Sequence, residues 1–360
     1  MKKLYILIFI SVFSLPEFWG QDTRFSQFTN TPLLINPGLT GMGNGYSRAN
    51  LSYRSQWTTT DNSFSTAALS IDLPIYSDKM NWKKGYLGAG LTFYNDQAGN
   101  GALSTNEANL AISGIIFTGK KSKLSLGIMG GYLQKSISPD KIQWDSQYNG
   151  FEHDVSLPSQ ENFIAVSAGA IDLSAGMSYK YASNEVAMSS DGNGNNMVFE
   201  IGAAAFHLLE PKLEFLQNPN AQVSRRFVGH TRFLKSMDSS PLALGGNVLY
   251  MQQVNNTETT IGFEGRYVLK GNTKYTGFLK DAYIGFQLLY RHQDAIIPVL
   301  SYKFNNWKIS TSYDYNTSEL GNVTGNVGGF EISIQFNDFE GQLFNQGNKY
   351  INYQGSGGNF

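Results

Sequence analysis

The feature that most constrains this chain is a period of two in hydropathy, repeated from residue 46 almost to the end. Tyr46 to Trp57 sets Ala49, Leu51, Tyr53 and Trp57 on one face and Arg48, Asn50, Ser52, Arg54 and Gln56 on the other. Residues 171–181 set Ile171, Leu173, Ala175, Met177 and Tyr179 against Asp172, Ser174, Ser178 and Lys180. Residues 307–315 and 330–337 repeat the pattern. Successive strand side chains point to opposite faces, so such segments meet an apolar medium on one side and a polar one on the other. About 14 segments of this kind can be counted, each near the 9–11 residues that cross a bilayer at a tilt. Asn/Gly-rich punctuation separates many of them, as at Asn95-Asp96, Gly271-Asn272 and Asn305-Asn306.

A soluble β-sandwich also alternates. Here the apolar faces mix small and aromatic residues, and aromatics gather near segment ends (Tyr53, Trp57, Tyr132, Tyr179, Tyr290, Tyr313), as an interfacial girdle requires. The pattern therefore predicts an all-β transmembrane antiparallel β-barrel of about 14 strands over 46–337. An even strand count leaves both termini on the periplasmic side, with 136–169 and 210–225 as long outward loops. The connections 74–84 and 182–196 are longer than simple periplasmic turns and strain that count. With Leu173, Ala175 and Met177 toward lipid and Asp172, Ser174 and Ser178 toward the lumen, an Arg at Ala175 is expected to cost about 2–4 kcal/mol if Ala175 lies near the midplane, and one at Ser174 much less.

Residues 1–20 read as a cleaved signal peptide: Lys2-Lys3, a largely apolar run from Leu4 to Leu15, and Gly20 before Gln21. That run spans only about 18 Å of a roughly 30 Å hydrocarbon core. Residues 21–45 are a periplasmic or plug-like segment, either filling the lumen or packing against the lower rim. Residues 338–360 form a Gly/Asn/Gln-rich tail.

Charged residues are only 15% of the chain and the net charge is −1, so no basic field invites nucleic acid. Cysteine is absent, which removes disulfides, thiolate catalysis and Cys-ligated zinc. The four histidines, His153, His207, His230 and His292, lack metal-ligand spacing. Asp191 to Asn195 begins like a calcium loop, but Asn196 stands where glycine is required. No catalytic constellation, metal site or cofactor is expected. Arg48, Arg54, Lys180, Glu200, Glu264, Arg266, Arg291 and Asp314 fall on the inner face, either as a binding or conducting lumen or as ion pairs that fill it.

Several motifs carry a resemblance. Phe25-Ser26-Gln27-Phe28 precedes Asn36-Pro37-Gly38 and Thr40-Gly41, and the first strand ends Tyr53-Arg54-Ser55-Gln56-Trp57. Residues 142–148, Ala205-Phe206-His207 with Pro211, Arg225-Arg226-Phe227 with His230, and Asp314-Tyr315-Asn316 with Gly328 to Glu331 add to it. Together these resemble the PorP/SprF family of type IX secretion outer-membrane proteins. Gly38 replaces the usual alanine, and the C-terminal tail is longer than usual. The resemblance implies residence in the outer membrane of a Gram-negative bacterium. It implies a secreted partner with a type IX-type C-terminal domain, an adhesin or gliding filament, and contact with outer-membrane lipid and other secretion components. Candidate partner-binding residues are Arg48, Arg54 and Gln56 in the lumen and Trp144, Tyr148, Phe151 and Phe215 on the long loops. The alternative function is a passive porin or small-solute transporter, which fold alone does not exclude.

Overall fold

The computed structural model describes residues 22, 24–43, 45–57, 63–75, 84–99, 102–142, 144–154, 156–160, 166–183, 197–213, 222–237, 240–269, 282–318 and 325–338. The expected signal peptide, residues 191–195, Phe215 and the tail from 339 onward lie outside them.

All 14 expected segments are strands: β1 Ser47–Gln56, β2 Phe64–Ile75, β3 Gly85–Ala98, β4 Leu103–Gly119, β5 Ser122–Ile137, β6 Ser167–Ala182 and β7 Met197–Phe206. They continue as β8 Arg226–Ser236, β9 Leu242–Gln253, β10 Asn256–Leu269, β11 Ala282–Arg291, β12 Ala295–Phe304, β13 Trp307–Asn316 and β14 Val327–Asp338. Each pairs antiparallel with its sequence neighbours, and β1 pairs with β14 from Ser47↔Asp338 to Gln56↔Gly329. The sheet closes on itself, the condition for crossing hydrocarbon with strands. Across the long connections 74–84 and 182–196, β2 pairs with β3 and β6 with β7 as direct neighbours, so no strand stands between them in the barrel.

The faces are inverted relative to a soluble protein. Leu110, Ile112, Leu126, Ile128 and Phe263 are exposed on the outer wall, whereas Ser52, Ser125, Ser174 and Ser178 are buried inside. A lipid-facing band explains this arrangement, and no soluble sandwich does. Tyr53, Tyr132, Tyr290, Tyr313 and Trp307 stand on the same outer face. We expect Ala175→Arg to cost about 2–4 kcal/mol in reversible unfolding from lipid vesicles; an unchanged midpoint would place Ala175 off the lipid face. The leniency expected at Ser174 does not follow. Ser174 is 1% exposed, shut in by the material filling the lumen, so an arginine there overpacks a closed interior.

That material is residues 22–43. Asp22 sits at the long-loop mouth, where its backbone N–H donates to Gln253 at the end of β9 (3.1 Å). The chain descends through a 3₁₀ turn at Phe28–Asn30, a short helix α1 at Pro32–Ile35 and a second 3₁₀ turn at Pro37–Leu39, then enters β1 at the opposite end. Pro32 and Pro37 each open a turn at a position where a missing N–H costs nothing. Phe28, Leu33, Ile35 and Leu39 pack against inward residues of the wall, among them Met129, Phe206, Leu249 and Ile297. The lumen therefore has an apolar core shared between plug and barrel.

Candidate functional site

The best-defined polar site is where the plug meets the wall near the loop-end mouth. Arg54 in β1 lies 1% exposed between Asp314 of β13 and Glu331 of β14. Its guanidinium reaches Asp314 Oδ2 at 2.7 Å and Glu331 Oε2 at 3.2 Å. The plug inserts Ser26 into this pair. The Ser26 hydroxyl donates to Asp314 (2.8 Å) and accepts from Arg54 and from Arg291 of β11 (2.5 Å). The Ser26 and Gln27 backbone N–H groups donate to the two carboxylate oxygens of Glu331, at 2.7 and 3.0 Å. The Gln27 amide donates to Ser312 and to the Glu331 carbonyl. Two motifs 28 residues apart in sequence, around Ser26 and around Arg54, are thus two sides of one contact. Phe25 and Phe28 flank it, both buried.

Arg291 extends the network to Asp294 (2.9 Å) and Asp314 (3.1 Å), and Arg24 of the plug pairs with Glu258 of β10. Buried charges survive only when paired and hydrogen-bonded. Here the carboxylates come from the barrel, and Ser26, Gln27 and Arg24 of the plug share with the barrel's Arg54 and Arg291 the task of satisfying them.

A second seat holds the Asn36-Pro37-Gly38 turn. Asn36 is fully buried; its side chain accepts from the Gly38 N–H (2.7 Å), donates to the Met177 carbonyl (2.8 Å) and contacts His230 Nε2 (2.9 Å). The wall makes room with Gly127, where a Cβ would come closer than 3 Å to the Pro37 carbonyl. Gly41, at φ +68°, bends the chain so that its N–H donates to Asp72 (2.8 Å). Arg48 holds the same Asp72 (2.8 Å) and the Leu39 carbonyl (3.2 Å).

A third contact ties down the plug's first residues. His207, just past β7, lies between Asp22 (2.8 Å) and Asp172 (2.9 Å), and Arg226 also reaches Asp22 (3.2 Å). Burial alone lowers the His207 pKa, but the two carboxylates outweigh it and push it up to about 9. A histidine whose pKa is raised on folding adds stability that is full below its unfolded value of about 6.5 and is lost as pH rises through the folded value. Between pH 7 and pH 10 the thermal midpoint of the wild type should therefore fall more than that of His207→Gln. Parallel curves for the two proteins would remove His207 from the account.

The residues singled out by sequence are thus distributed. Phe25, Ser26, Gln27, Phe28, Asn36 and Pro37 form the plug's contact surface. Arg48 and Arg54 hold it, and Gln56 is half-buried at the rim beside Gly329. Trp144, Tyr148 and Phe151 lie apart from them on the connection between β5 and β6. Tyr148 is 59% and Phe151 95% exposed. Sequence reasoning gave no role to Asp22, Asp72 or Glu258, and it left Asp172 on the inner face and Arg226 in a motif without naming a partner for either. The usable signal was an acidic residue on an inner face, which demands a buried cation.

Compared with known proteins, the chain matches over residues 18–336 the profile of the type IX secretion system membrane protein PorP/SprF. The chain belongs to the PorP/SprF family. It is therefore a membrane component of the type IX secretion system, a family of secretion barrels rather than of enzymes, and its closed barrel is that of an outer-membrane protein. No curated protein matches the sequence. Solved structures with a similar fold include a FadL homologue from Pseudomonas aeruginosa, at 11% identity and TM-score 0.42, covering 86% of this chain and 94% of that one. BamA from Haemophilus ducreyi lacking POTRA domains 1–3 matches at 7% identity and TM-score 0.42, covering 81% and 70%. The CymD monoaromatic hydrocarbon channel matches at 8% and 0.42, covering 86% and 92%. The family assignment rests on the sequence profile, and the motifs of this PorP/SprF chain fall on its plug contacts.

Proposed function

We propose that this PorP/SprF barrel binds the C-terminal domain of a type IX-secreted surface protein, an adhesin or gliding filament, at its loop-end mouth and helps secrete or anchor it there. The observation that carries this reading is the pairing of a filled lumen with an exposed aromatic loop. Arg54 is closed inside the plug contact, which leaves a solute no wide polar path along the first strand.

The β5–β6 connection is braced from within. Gln147 donates to the Leu157 carbonyl (2.9 Å) and contacts His153, while the Asn149 side chain accepts from the Phe151 and Glu152 N–H groups. A held loop presenting large aromatics loses little entropy on binding and buries much area. Arg48 and Arg54 serve the plug in this reading, and docking falls to Trp144, Tyr148 and Phe151. Other secretion components meet the same barrel.

Affinity purification from mildly solubilised membranes tests the reading. The barrel should bring down a secreted protein with a type IX-type C-terminal domain. Tyr148→Ala with Phe151→Ala should lower that recovery by about tenfold or more while leaving stability within about 0.5 kcal/mol. A protein that comes out alone, and whose deletion leaves every surface protein in place while changing small-solute uptake, would instead be a porin.

A further inference from the structure

The half of the lumen nearest the β1 start is chemically unlike the half around Ser26. A chamber lies there between the plug, from Phe28 to Gly43, and the inner wall. Its lining includes Arg48, Lys180, Arg232, Arg266 and Lys308, and Glu200 is the one carboxylate among the described lining residues. At the other end Asp314, Glu331, Glu258 and Asp294 are matched by Arg24, Arg54 and Arg291. Among the described residues, cations therefore outnumber carboxylates in the chamber lining toward the short turns, whereas the loop-end network is ion-paired.

We propose that this chamber is a binding site for a compact oxyanion, a phosphate- or carboxylate-bearing group arriving from the turn side. The cations form a belt at one level of the barrel. Lys180, Glu200 and Arg232 are ladder neighbours on β6, β7 and β8, and Lys308 on β13 faces Gln335 of β14, two residues from Asn337, which pairs with Arg48. Several guanidiniums in the lining are already fixed. Arg266 is held by Glu264 (2.6 Å) and stacks over Tyr283 at 4.7 Å, Arg232 lies 3.9 Å from Glu264, and Arg48 is held by Asp72. Fixed planar guanidiniums suit oxygen pairs of carboxylate and phosphate, and the lysines add point charges. His230, Thr231, Gln335 and Asn337 supply neutral polar groups in the same lining. Inside a barrel set in hydrocarbon the attraction is poorly screened, so a site of this kind outcompetes an exposed basic patch. By the rule that barrel turns face the periplasm, the chamber lies at the periplasmic end of the barrel, nearest the compartment through which anionic partners and solutes arrive. This assignment is independent of the docking reading.

Calorimetry on the full chain in detergent, in low-chloride buffer, tests it with two probes, inorganic phosphate and a hexaglutamate peptide. Saturable binding of phosphate identifies a free oxyanion as the ligand; binding of the peptide alone identifies side-chain carboxylates of a chain. In either case Lys180→Gln with Lys308→Gln should weaken binding about tenfold or more, and Lys120→Gln, in the exposed β4–β5 turn, should leave it unchanged. Where the double variant does not form a barrel, Lys308→Gln alone carries the comparison. Absence of saturable binding of both probes, or equal affinity in wild type and variant, overturns the proposal.

Discussion

Arg54→Ala should destabilise the protein by about 3–5 kcal/mol, because it strands Asp314 and Glu331 as buried carboxylates without their main cation. The loss should be seen first in the plug. Ser26 accepts from Arg54 and sits on both acids, so the segment from Arg24 to Asn30 should become open to protease while the barrel still resists it. Arg54→Lys should recover only part of the loss. One Nη of Arg54 serves Ser26 and Glu331 while the other serves Asp314, and a single ammonium does not reproduce that fork. A wild-type midpoint in Arg54→Ala would show that Arg291 alone neutralises the site.

Deleting residues 22–42 should have the second large effect: the barrel changes from closed to conducting. In planar bilayers the intact protein should give no stable open-channel steps, and the deletion variant should give persistent ones. The segment supplies Phe28, Leu33, Ile35 and Leu39 to the interior core, and with them gone a 14-strand wall encloses water. Persistent steps from the intact protein would mean that a path runs beside the plug, and the porin reading would gain.

Strand number and the span of the barrel could be read from the chain, because lipid on one face and polar interior on the other write the period of two directly into sequence. β6 shows this: Leu173 and Met177 are exposed, while Asp172, Ser174 and Ser178 are buried. The strand written least clearly is β12. Its inward Ala295, Ile297 and Val299 are as apolar as its outward Ile296 and Leu300 because the plug's apolar side packs there. A polar lumen was expected all round; the plug converts part of it into core.

The candidate site was legible only as motifs. Ser26 and Gln27 stood out by pattern, yet nothing local tells a reader that their partners are Arg54, Asp314 and Glu331, up to 305 positions away. Closing the barrel is what brings β1, β13 and β14 together. The exposed state of Phe151 was likewise undetermined, since an aromatic on a loop packs down as readily as it projects. Phe215 lies outside the described residues.

The central claim is that a plugged barrel docks a secreted partner through its loop-end aromatics. The most direct measurement is photo-crosslinking in living cells from a benzophenone amino acid at position 151, with position 128 on the lipid face as control. The account predicts an adduct from position 151 whose partner peptides map to the C-terminal domain of a type IX-secreted protein, and none from position 128. No protein adduct at 151, or an equal one at 128, would contradict it.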